Sequence, residues 1–320
     1  MGPELAGLFI GLTIFVLLVI GVPVAFTLAI TAILFLVLGK GLLAISTLAE
    51  NFFGGLAEFT LLSIPMFIVM GAAVAASPAG KDLYEALDRW LNRVPGGLII
   101  SNIGACSIFA ALSGSSPATC AAIGKMGIPE MRQRGYPDGL ATGAIAAGGT
   151  LGILIPPSIT MIVYGIATET SIGRLFLAGL LPGLMLTALF MTWSLFTAWR
   201  SGYRFSKVAN YTWGQRFEIL PRVLPFLAII AGVLWVLYGG VATPSEAAGV
   251  GAAGCILLAL IIYRMWQPSK LWTVLSSSMK ESVMILMIIA CSALFSQMLS
   301  SYYITQSAAE AIANAGLNKW

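Results

Sequence analysis

The chain has 320 residues, of which 58% are apolar and 9% are charged, whereas soluble domains average about 45–50% and about 25%. This composition excludes a soluble domain and predicts an integral membrane protein, and the net charge of +4, with basic residues in loops, excludes nucleic-acid binding. Histidine is absent, which excludes Ser-His and Cys-His catalysis and the usual proton carrier near pH 7.

The N-terminal part contains uncharged runs long enough to cross about 30 Å of hydrocarbon as helices. The first run, Leu5–Ile20, lacks a basic leader and a small-residue cleavage site, so it is interpreted as a span and not as a removable signal. A second span follows at Val22–Leu38. The segment Ala44–Phe59, with aromatic and aliphatic residues among polar ones, predicts a helix on the membrane surface, and a third span follows at Leu61–Ala76.

The next apolar stretch, Leu98–Gly124, is interrupted by a polar sequence, Ser-Gly-Ser-Ser-Pro-Ala-Thr. Such breaks survive in hydrocarbon only where they line a cavity or a site, although an ordinary serine-rich kink is the alternative. Ser116 is predicted to cap a returning helix and Pro117 to be its first residue, which leaves a positive helix end suited to a carboxylate. Hydroxyls and freed carbonyls in the same sequence suit sodium equally. The candidate ligands are Ser113, Gly114, Ser115, Ser116 and Thr119.

A second interruption lies in the middle of the Leu140–Ala167 span. Pro156 and Pro157 each remove an amide donor and clash with the preceding turn, so the helix must break there. A broken helix beside a hairpin tip is typical of an ion and substrate site near the membrane midplane, whereas a proline kink used for packing is the alternative. The candidate site residues are Gly149, Thr150, Gly152, Pro156, Pro157 and Ser158.

Four more spans are predicted, at Leu175–Trp199, Val223–Tyr238, Ser245–Tyr263 and Ser282–Leu299. If Leu98–Gly124 turns back, fourteen of the 17 basic residues lie on one side and only Lys40, Arg174 and Lys319 lie on the other. If this stretch crosses the membrane instead, twelve basic residues lie on one side and five on the other. Since lysine and arginine collect on the cytoplasmic side, the sequence predicts a re-entrant hairpin open to the cytoplasm and a periplasmic N-terminus.

The order of elements also indicates an inverted repeat. A helix pair, a connector and a further span start at Leu5 and again, with opposite orientation, at Val223; the connector Trp266–Lys280 repeats Ala44–Phe59. Inverted repeats of this kind are typical of secondary transporters. The predicted parts are a scaffold pair with its arm (1–60), a first transport-domain half (61–205), a second scaffold pair with its arm (206–280) and the start of a second transport half (281–320). Since no second hairpin follows, we expect a C-terminally truncated chain that lacks about a hundred residues.

The remaining polar and sulfur-containing residues of the spans have structural interpretations. Cys106, Cys120, Cys255 and Cys291 lie in apolar segments without metal-ligand spacing and are predicted to be small core residues. Glu246 has the spacing of a capping box with Thr243, which favours a structural role over substrate or proton binding. Because acidic residues lie only at the ends of spans, sodium is favoured over protons as the coupling ion.

Seven segments together resemble the large membrane subunit of the tripartite ATP-independent periplasmic (TRAP) transporters. The joint occurrence of the serine-glycine hairpin and the Ile-Pro-Pro-Ser break, in this order and spacing, is the specific part of the resemblance. The segments are Phe59–Phe67, Ser113–Thr119, Gly135–Pro137, Gly149–Ser158, Tyr164–Gly165, Leu175–Gly183 and Thr243–Ala247.

The resemblance implies an all-α polytopic protein of the bacterial inner membrane, an inverted-repeat elevator-type transporter with a re-entrant helical hairpin and a broken transmembrane helix. It implies import of organic acids such as C4-dicarboxylates, with sodium as the coupling ion and no other cofactor or metal. The implied partners are a small four-helix membrane subunit and a periplasmic substrate-binding protein. It also places the eleven candidate residues of the hairpin tip and the break in the shared site. Because the family's second hairpin has no counterpart here, we expect the 320-residue chain alone to be inactive.

Three other functions compete with this one. The first is a non-transporting scaffold protein, which an absence of ligand-dependent stabilisation would favour. A stand-alone sodium/dicarboxylate or citrate-type symporter would have related architecture, and neighbouring genes for a binding protein and a small subunit would discriminate between the two. An intramembrane serine protease would need a base next to Ser115 or Ser116, but histidine is absent and Lys125 is at the far end of the hairpin. The chain is therefore predicted not to be an enzyme.

Overall fold

The computed structural model describes residues 2–41, 44–91, 96–200 and 211–314. Within these ranges all regular structure is helical, with fifteen α-helices and two short 3-10 turns, so the predicted all-α class is confirmed. Four basic residues used to predict the orientation, Arg93, Arg204, Lys207 and Lys319, lie outside the described ranges.

Nine helices and both 3-10 turns lie before residue 170. Pro3 occupies the first turn of the first helix, and Gly41, with a φ of 75°, follows the second. The 3-10 turns are Phe59–Leu62 and Leu151–Ile153. The helices are α1 (Pro3–Val19), α2 (Val24–Lys40), α3 (Ala44–Gly54), α4 (Ser63–Ala76), α5 (Ala79–Leu91), α6 (Gly97–Ser113), α7 (Ser116–Gln133), α8 (Asp138–Thr150) and α9 (Ile159–Ala167).

The second part of the chain contains longer helices. They are α10 (Ile172–Arg200), α11 (Trp213–Glu218), α12 (Leu220–Tyr238), α13 (Pro244–Tyr263), α14 (Pro268–Ser301) and α15 (Ile304–Asn314).

Most of the second predicted connector, Trp266–Lys280, and the predicted span Ser282–Leu299 lie in one continuous helix, α14, from Pro268 to Ser301. The reason is local, because this segment contains neither glycine nor proline after Pro268. The first copy differs, since α3 ends at Gly54 and a 3-10 turn precedes α4.

The start of α13 has the predicted capping box. The Thr243 hydroxyl accepts a hydrogen bond from the Glu246 amide at 3.3 Å, and the Glu246 carboxylate accepts one from the Thr243 amide at 2.8 Å. These two bonds satisfy amides that the first turn of a helix leaves free. The structural interpretation of Glu246 is therefore confirmed.

The chain divides into two compact units, one formed by residues 1–61 with 281–320 and the other by residues 62–280; the boundary between residues 280 and 281 lies within α14. The first unit has an apolar core. Tyr302 donates a hydrogen bond from its hydroxyl to the Phe35 carbonyl at 2.6 Å, and the two rings meet edge to face. The core residues are Ile10, Ala32, Phe35, Leu36, Leu48, Leu294 and Met298.

The second unit is built around α6. All residues of this helix are buried except Ser107 and Ile108, which are half-buried. It packs against α4, α5, α7, α8 and α10, while α13 packs along α4, where Gly251 lies against Met70. A helix surrounded by protein on all sides can carry polar residues at its end without exposing them to lipid.

Five described helical segments have the length and apolar composition needed to cross a membrane, as expected of a multi-pass membrane protein. The helices α1, α2 and α6 are apolar but shorter, with 17 residues each. The five segments are Phe59–Ala76, Ile172–Thr197, Leu220–Tyr238, Pro244–Tyr263 and Pro268–Ser301.

Candidate functional site

The polar tip between α6 and α7 contains only two non-helical residues. Gly114 follows α6 in the left-handed region with a φ of 60°, and Ser115 is extended with φ −134° and ψ 121°. A connection this short makes the two helices antiparallel neighbours. The interruption predicted within Leu98–Gly124 therefore lies at these two residues and forms a helical hairpin.

The predicted cap of the second hairpin helix was wrong by one residue. Ser115 is the N-cap of α7, the helix begins at Ser116, and Pro117 is its second residue; the Ser115 side chain makes no capping hydrogen bond. The backbone explains the difference, because a cap residue is extended and Ser116 is already helical. Ser116 Oγ is buried and has no hydrogen-bond partner among the described residues.

The hydroxyls of Ser113 and Thr119 bind each other and the backbone of the turn. Thr119 Oγ1 donates to the Ser115 carbonyl at 2.8 Å and lies 3.0 Å from Ser113 Oγ. Since the Thr119 proton is directed to the carbonyl, Ser113 is the donor in the second contact. Each hydroxyl oxygen keeps a lone pair for a further interaction.

The second motif is a true break in the helix. α8 ends at Thr150, the 3-10 turn and a bend follow, and Ser158 is the N-cap of α9. The Ser158 hydroxyl donates to the Ile153 carbonyl at 2.7 Å and accepts the Met161 amide at 3.4 Å. One side chain thus satisfies a carbonyl on one side of the break and an amide on the other.

The tip and the break are in direct backbone contact. The Ile159 amide donates to the Gly114 carbonyl at 3.4 Å. A Cβ atom added to Gly114 would lie 2.8 Å from the Pro157 carbonyl oxygen, and one added to Gly152 would lie 2.6 Å from the Ser116 nitrogen. The two predicted motifs therefore meet, and glycine is required at both contact points because no larger residue fits without moving backbone atoms.

A second set of close approaches surrounds this contact. Gly148 and Gly149 lie against the sulfur atoms of Cys106 and Cys120, and Gly71 of α4 lies against the Ser113 backbone, where an added Cβ would be 2.7 Å from Cα. The sequence analysis missed Gly71, although its small-residue run, Gly-Ala-Ala-Val-Ala-Ala, is a signal of close helix packing.

One predicted residue does not join the site. Thr150 is exposed, and its hydroxyl donates to the Ala147 carbonyl of its own helix at 2.7 Å. Gly149, Gly152, Pro156, Pro157 and Ser158 are buried.

The electrostatics of the site come from helix ends. α7 and α9 begin at this contact and α6 and α8 end at or just before it, so two positive and two negative helix ends lie in one region. All residues of the tip and the break are uncharged. Among the described residues, no group of three or more histidine, cysteine, aspartate or glutamate residues could hold a metal ion. The chemistry available is therefore binding by amides, carbonyls and hydroxyls.

The far end of the hairpin carries an ion-pair cluster that the sequence analysis missed. The Arg134 guanidinium donates to the two carboxylate oxygens of buried Asp88 at 3.2 and 3.0 Å and to Glu130 at 3.0 Å, and the Tyr211 hydroxyl donates to Asp88 at 3.2 Å. Burial by itself lowers the pKa of Arg134, but the hydrogen bonds and charges of Asp88 and Glu130 raise it above its usual value. The cluster fixes the end of α7 to α5 and to the segment before α11.

Comparison with known proteins places this arrangement in context. The family model of the DctM component of the tripartite ATP-independent periplasmic transporters matches residues 12–320. The C4-dicarboxylate TRAP transporter large permease protein DctM of Pseudomonas aeruginosa is 38% identical over 277 residues, which are 87% of this chain and 64% of that protein. The protein of the same description from Rhodobacter capsulatus is 33% identical over 320 residues, 95% of this chain and 72% of that protein.

A relative with a different named solute is also similar. The isethionate TRAP transporter permease protein DctMQ of Oleidesulfovibrio alaskensis is 30% identical over 302 residues, 92% of this chain and 46% of that protein. The chain thus spans between about half and three quarters of the length of these relatives.

Proposed function

The chain belongs to the family of DctM components of tripartite ATP-independent periplasmic transporters, and from this membership we propose that it is the permease part of a sodium-coupled importer of organic acids. The family consists of transporter permeases and not of enzymes. C4-dicarboxylates are the proposed substrates, since the relative with 38% identity is described as a C4-dicarboxylate permease.

The observation that carries the proposal is the contact between the α6–α7 tip and the α8–α9 break. At 1.5 Å per residue, the 17-residue α6 is about 26 Å long, as are α1 and α2, but α6 is buried along its length and turns directly into α7 through Gly114 and Ser115. The proposed arrangement is a re-entrant hairpin whose tip lies inside the membrane, and the burial of α6 and the short turn support it. The broken helix meets it there, and such a meeting of helix ends is the typical binding site of secondary transporters.

The acid is bound by the positive helix ends. The first turn of α7 presents the amides of Ser116 and Ala118, and α9 adds the Thr160 amide, since the Ile159 and Met161 amides are already bonded. Ser116 also adds a hydroxyl that has no partner among the described residues. A carboxylate accepts hydrogen bonds from both kinds of donor and gains from both helix dipoles.

Sodium is bound by hydroxyl and carbonyl oxygens that keep a free lone pair. The protons of Ser113 and Thr119 are already directed within the tip, so their oxygens act as acceptors or ligands. The carbonyl ends of α6 and α8, including those of Gly114 and Gly149, supply further hard oxygen ligands.

The absence of formal charge in the tip and the break supports coupling between the two ligands. Moving one unpaired charge from water into a poorly solvated site costs several kcal/mol, whereas a cation and an anion bound side by side compensate each other. A site made of helix ends therefore favours occupation by both ligands or by neither.

Transport requires the site to face each side of the membrane in turn. The proposed mechanism is an elevator in which residues 61–205 and 281–320 move against a scaffold formed by residues 1–60 and 206–280. The compact units combine these segments differently, as residues 1–61 with 281–320 and residues 62–280, but contacts in one conformation do not report which parts move together. The proposed partners are the small four-helix subunit in the membrane and a periplasmic binding protein that delivers the acid; the proposed N-terminus is periplasmic.

The test is uptake of a labelled C4-dicarboxylate by proteoliposomes that contain the full-length permease and its small subunit, with binding protein outside. An inward sodium gradient is compared with an equal potassium gradient. Ser116→Ala is the informative variant, and Thr142→Ala is its control, because the exposed Thr142 hydroxyl bonds only within α8. The loss of a hydrogen bond to a carboxylate, about 1.5–3 kcal/mol, predicts a roughly 10- to 100-fold higher half-saturating acid concentration for Ser116→Ala.

Stability separates a binding role from a structural one. Since Ser116 Oγ is unpartnered in the described structure, removing it relieves a desolvation cost, and the thermal midpoint is expected to stay the same or rise. Uptake that needs sodium and binding protein, together with this pattern, supports the proposal. Uptake without binding protein would instead identify a stand-alone symporter, and unchanged uptake by Ser116→Ala would remove Ser116 from the site.

A further inference from the structure

A cavity of about 490 Å³ in the second unit is lined by residues of five helices and of the segments that connect them. This half-open cavity is lined by the end of α4, the start of α5, the middle of α7 and the segment from the end of α13 to the start of α14. None of the residues of the tip or the break lines it.

The cavity has a concentrated positive charge. Lys81 of α5, Lys125 of α7 and Lys270 of α14 all line it, and no acidic residue is among the described lining residues. None of the three lysines forms an ion pair with another described residue. Nearby Asp82 does not compensate them, because it accepts a hydrogen bond from Tyr263 at 2.8 Å and pairs with Arg222 at 3.9 Å.

All three lysines are exposed to solvent, which screens their mutual repulsion, but together they make the cavity attractive to an anion. The start of α5 acts in the same direction. The Ala79 amide donates a hydrogen bond to Ser77 Oγ at 3.2 Å. The Gly80 and Lys81 amides lie in the first turn of α5, where amides have no acceptor within the helix, so they can donate to an anion. A tetrahedral oxyanion with several acceptor oxygens can accept from such amides and from several ammonium groups at once.

The surroundings indicate where the anion comes from. The membrane-length segments Phe59–Ala76 and Pro244–Tyr263 both end at the cavity. Trp266 and Trp272, close in sequence to its lining residues Met265 and Lys270, are 66% and 71% exposed, which is typical of aromatic side chains at a membrane interface. Met126 and Met265 add apolar lining. We propose that this cavity binds the phosphate group of an anionic phospholipid at the membrane interface, with Lys81, Lys125 and Lys270 as its ligands.

The experiment measures lipid retention by native mass spectrometry of the purified, delipidated protein after addition of phosphatidylglycerol or phosphatidylcholine. Lys81→Gln/Lys125→Gln/Lys270→Gln is compared with Lys40→Gln/Arg174→Gln/Lys280→Gln, which removes three exposed positive charges that do not line the cavity. The wild type and the control are expected to retain one phosphatidylglycerol in preference to phosphatidylcholine. The cavity variant is expected to bind it roughly 100-fold more weakly, since each basic residue contributes about fivefold. If that variant does not fold, the single variants Lys125→Gln and Lys270→Gln are each expected to lose about fivefold.

Three results would overturn the proposal. One is equal retention of both lipids by the wild type, and another is an equal loss in the cavity variant and the control. The third comes from a separate arm, in which inorganic phosphate is added in detergent without lipid. If phosphate raises the thermal midpoint of the wild type but phosphatidylglycerol is not retained, the site takes a soluble phosphate and not a lipid.

Discussion

Replacing Gly152 by alanine tests the contact between the hairpin tip and the helix break. The new Cβ would lie 2.6 Å from the Ser116 nitrogen and 2.7 and 2.8 Å from the carbonyl carbon and oxygen of Ser115. All three neighbours are backbone atoms, so no change of side-chain rotamer relieves the overlap, and the tip must move away from the break. Overpacking of this kind costs about 1–3 kcal/mol.

The matched control is Gly143→Ala, in the preceding helix α8, where an added Cβ meets no atom within 4 Å. Alanine is favoured over glycine inside a helix by about 0.5–1 kcal/mol, so this variant is expected to be slightly more stable than the wild type. The assays are thermal unfolding of the full-length permease in detergent and dicarboxylate uptake by proteoliposomes that contain the permease and its small subunit, with binding protein outside. We expect Gly152→Ala to unfold at a lower temperature than the wild type. We also expect it to lose uptake, because the displaced tip no longer holds its oxygens and amides in position for sodium and the acid. Wild-type stability and uptake of Gly152→Ala would refute the contact.

Two further predictions concern the ends of the hairpin. Gly114→Ala is expected to lower the free energy of unfolding by about 1–3 kcal/mol more than Gly240→Ala does. Both glycines have a positive φ, but only at Gly114 would the added Cβ lie 2.8 Å from a carbonyl oxygen. Equal losses in the two variants would contradict this prediction. Asp88→Asn is expected to cost about 2–4 kcal/mol because it leaves the largely buried Arg134 with one carboxylate fewer, and adding Arg134→Gln is expected to recover part of the loss. The control is Arg132→Gln, which breaks an exposed ion pair and is expected to change the free energy of unfolding by less than about 1 kcal/mol. If Asp88→Asn lost no more stability than this control, the stabilising role of the cluster would be refuted.

The sequence was most informative where one residue decides the backbone locally. Pro156 and Pro157 cannot continue a helix, and the break lies at residues 151–158 as predicted. Gly114 permits the left-handed turn that ends α6, so the position of the hairpin tip was also predictable. These effects depend on single residues and not on the rest of the fold.

Features that depend on distant neighbours were not predictable in the same way. The choice between Ser115 and Ser116 as the cap of α7 depends on backbone angles set by the packing of the tip against the break. The approach of Gly71 to Ser113 joins residues more than forty positions apart. The bond from Tyr211 to Asp88 spans an even larger separation. In each of these cases the sequence shows the residue but not its contact partner, because the tertiary structure determines which distant residue lies next to it.

The glycines of the tip and the break bear on the proposal that a site without formal charges binds ions. Amides and carbonyls carry partial charges that fall off quickly with distance, so they act on a ligand only when the backbone itself approaches closely. Gly114, Gly149 and Gly152 remove the side chains that would keep the tip, α7 and the break apart. The same residues therefore bring the helix ends together and keep their polar groups accessible, which is why enlarging any of them is expected to weaken stability and ligand binding together.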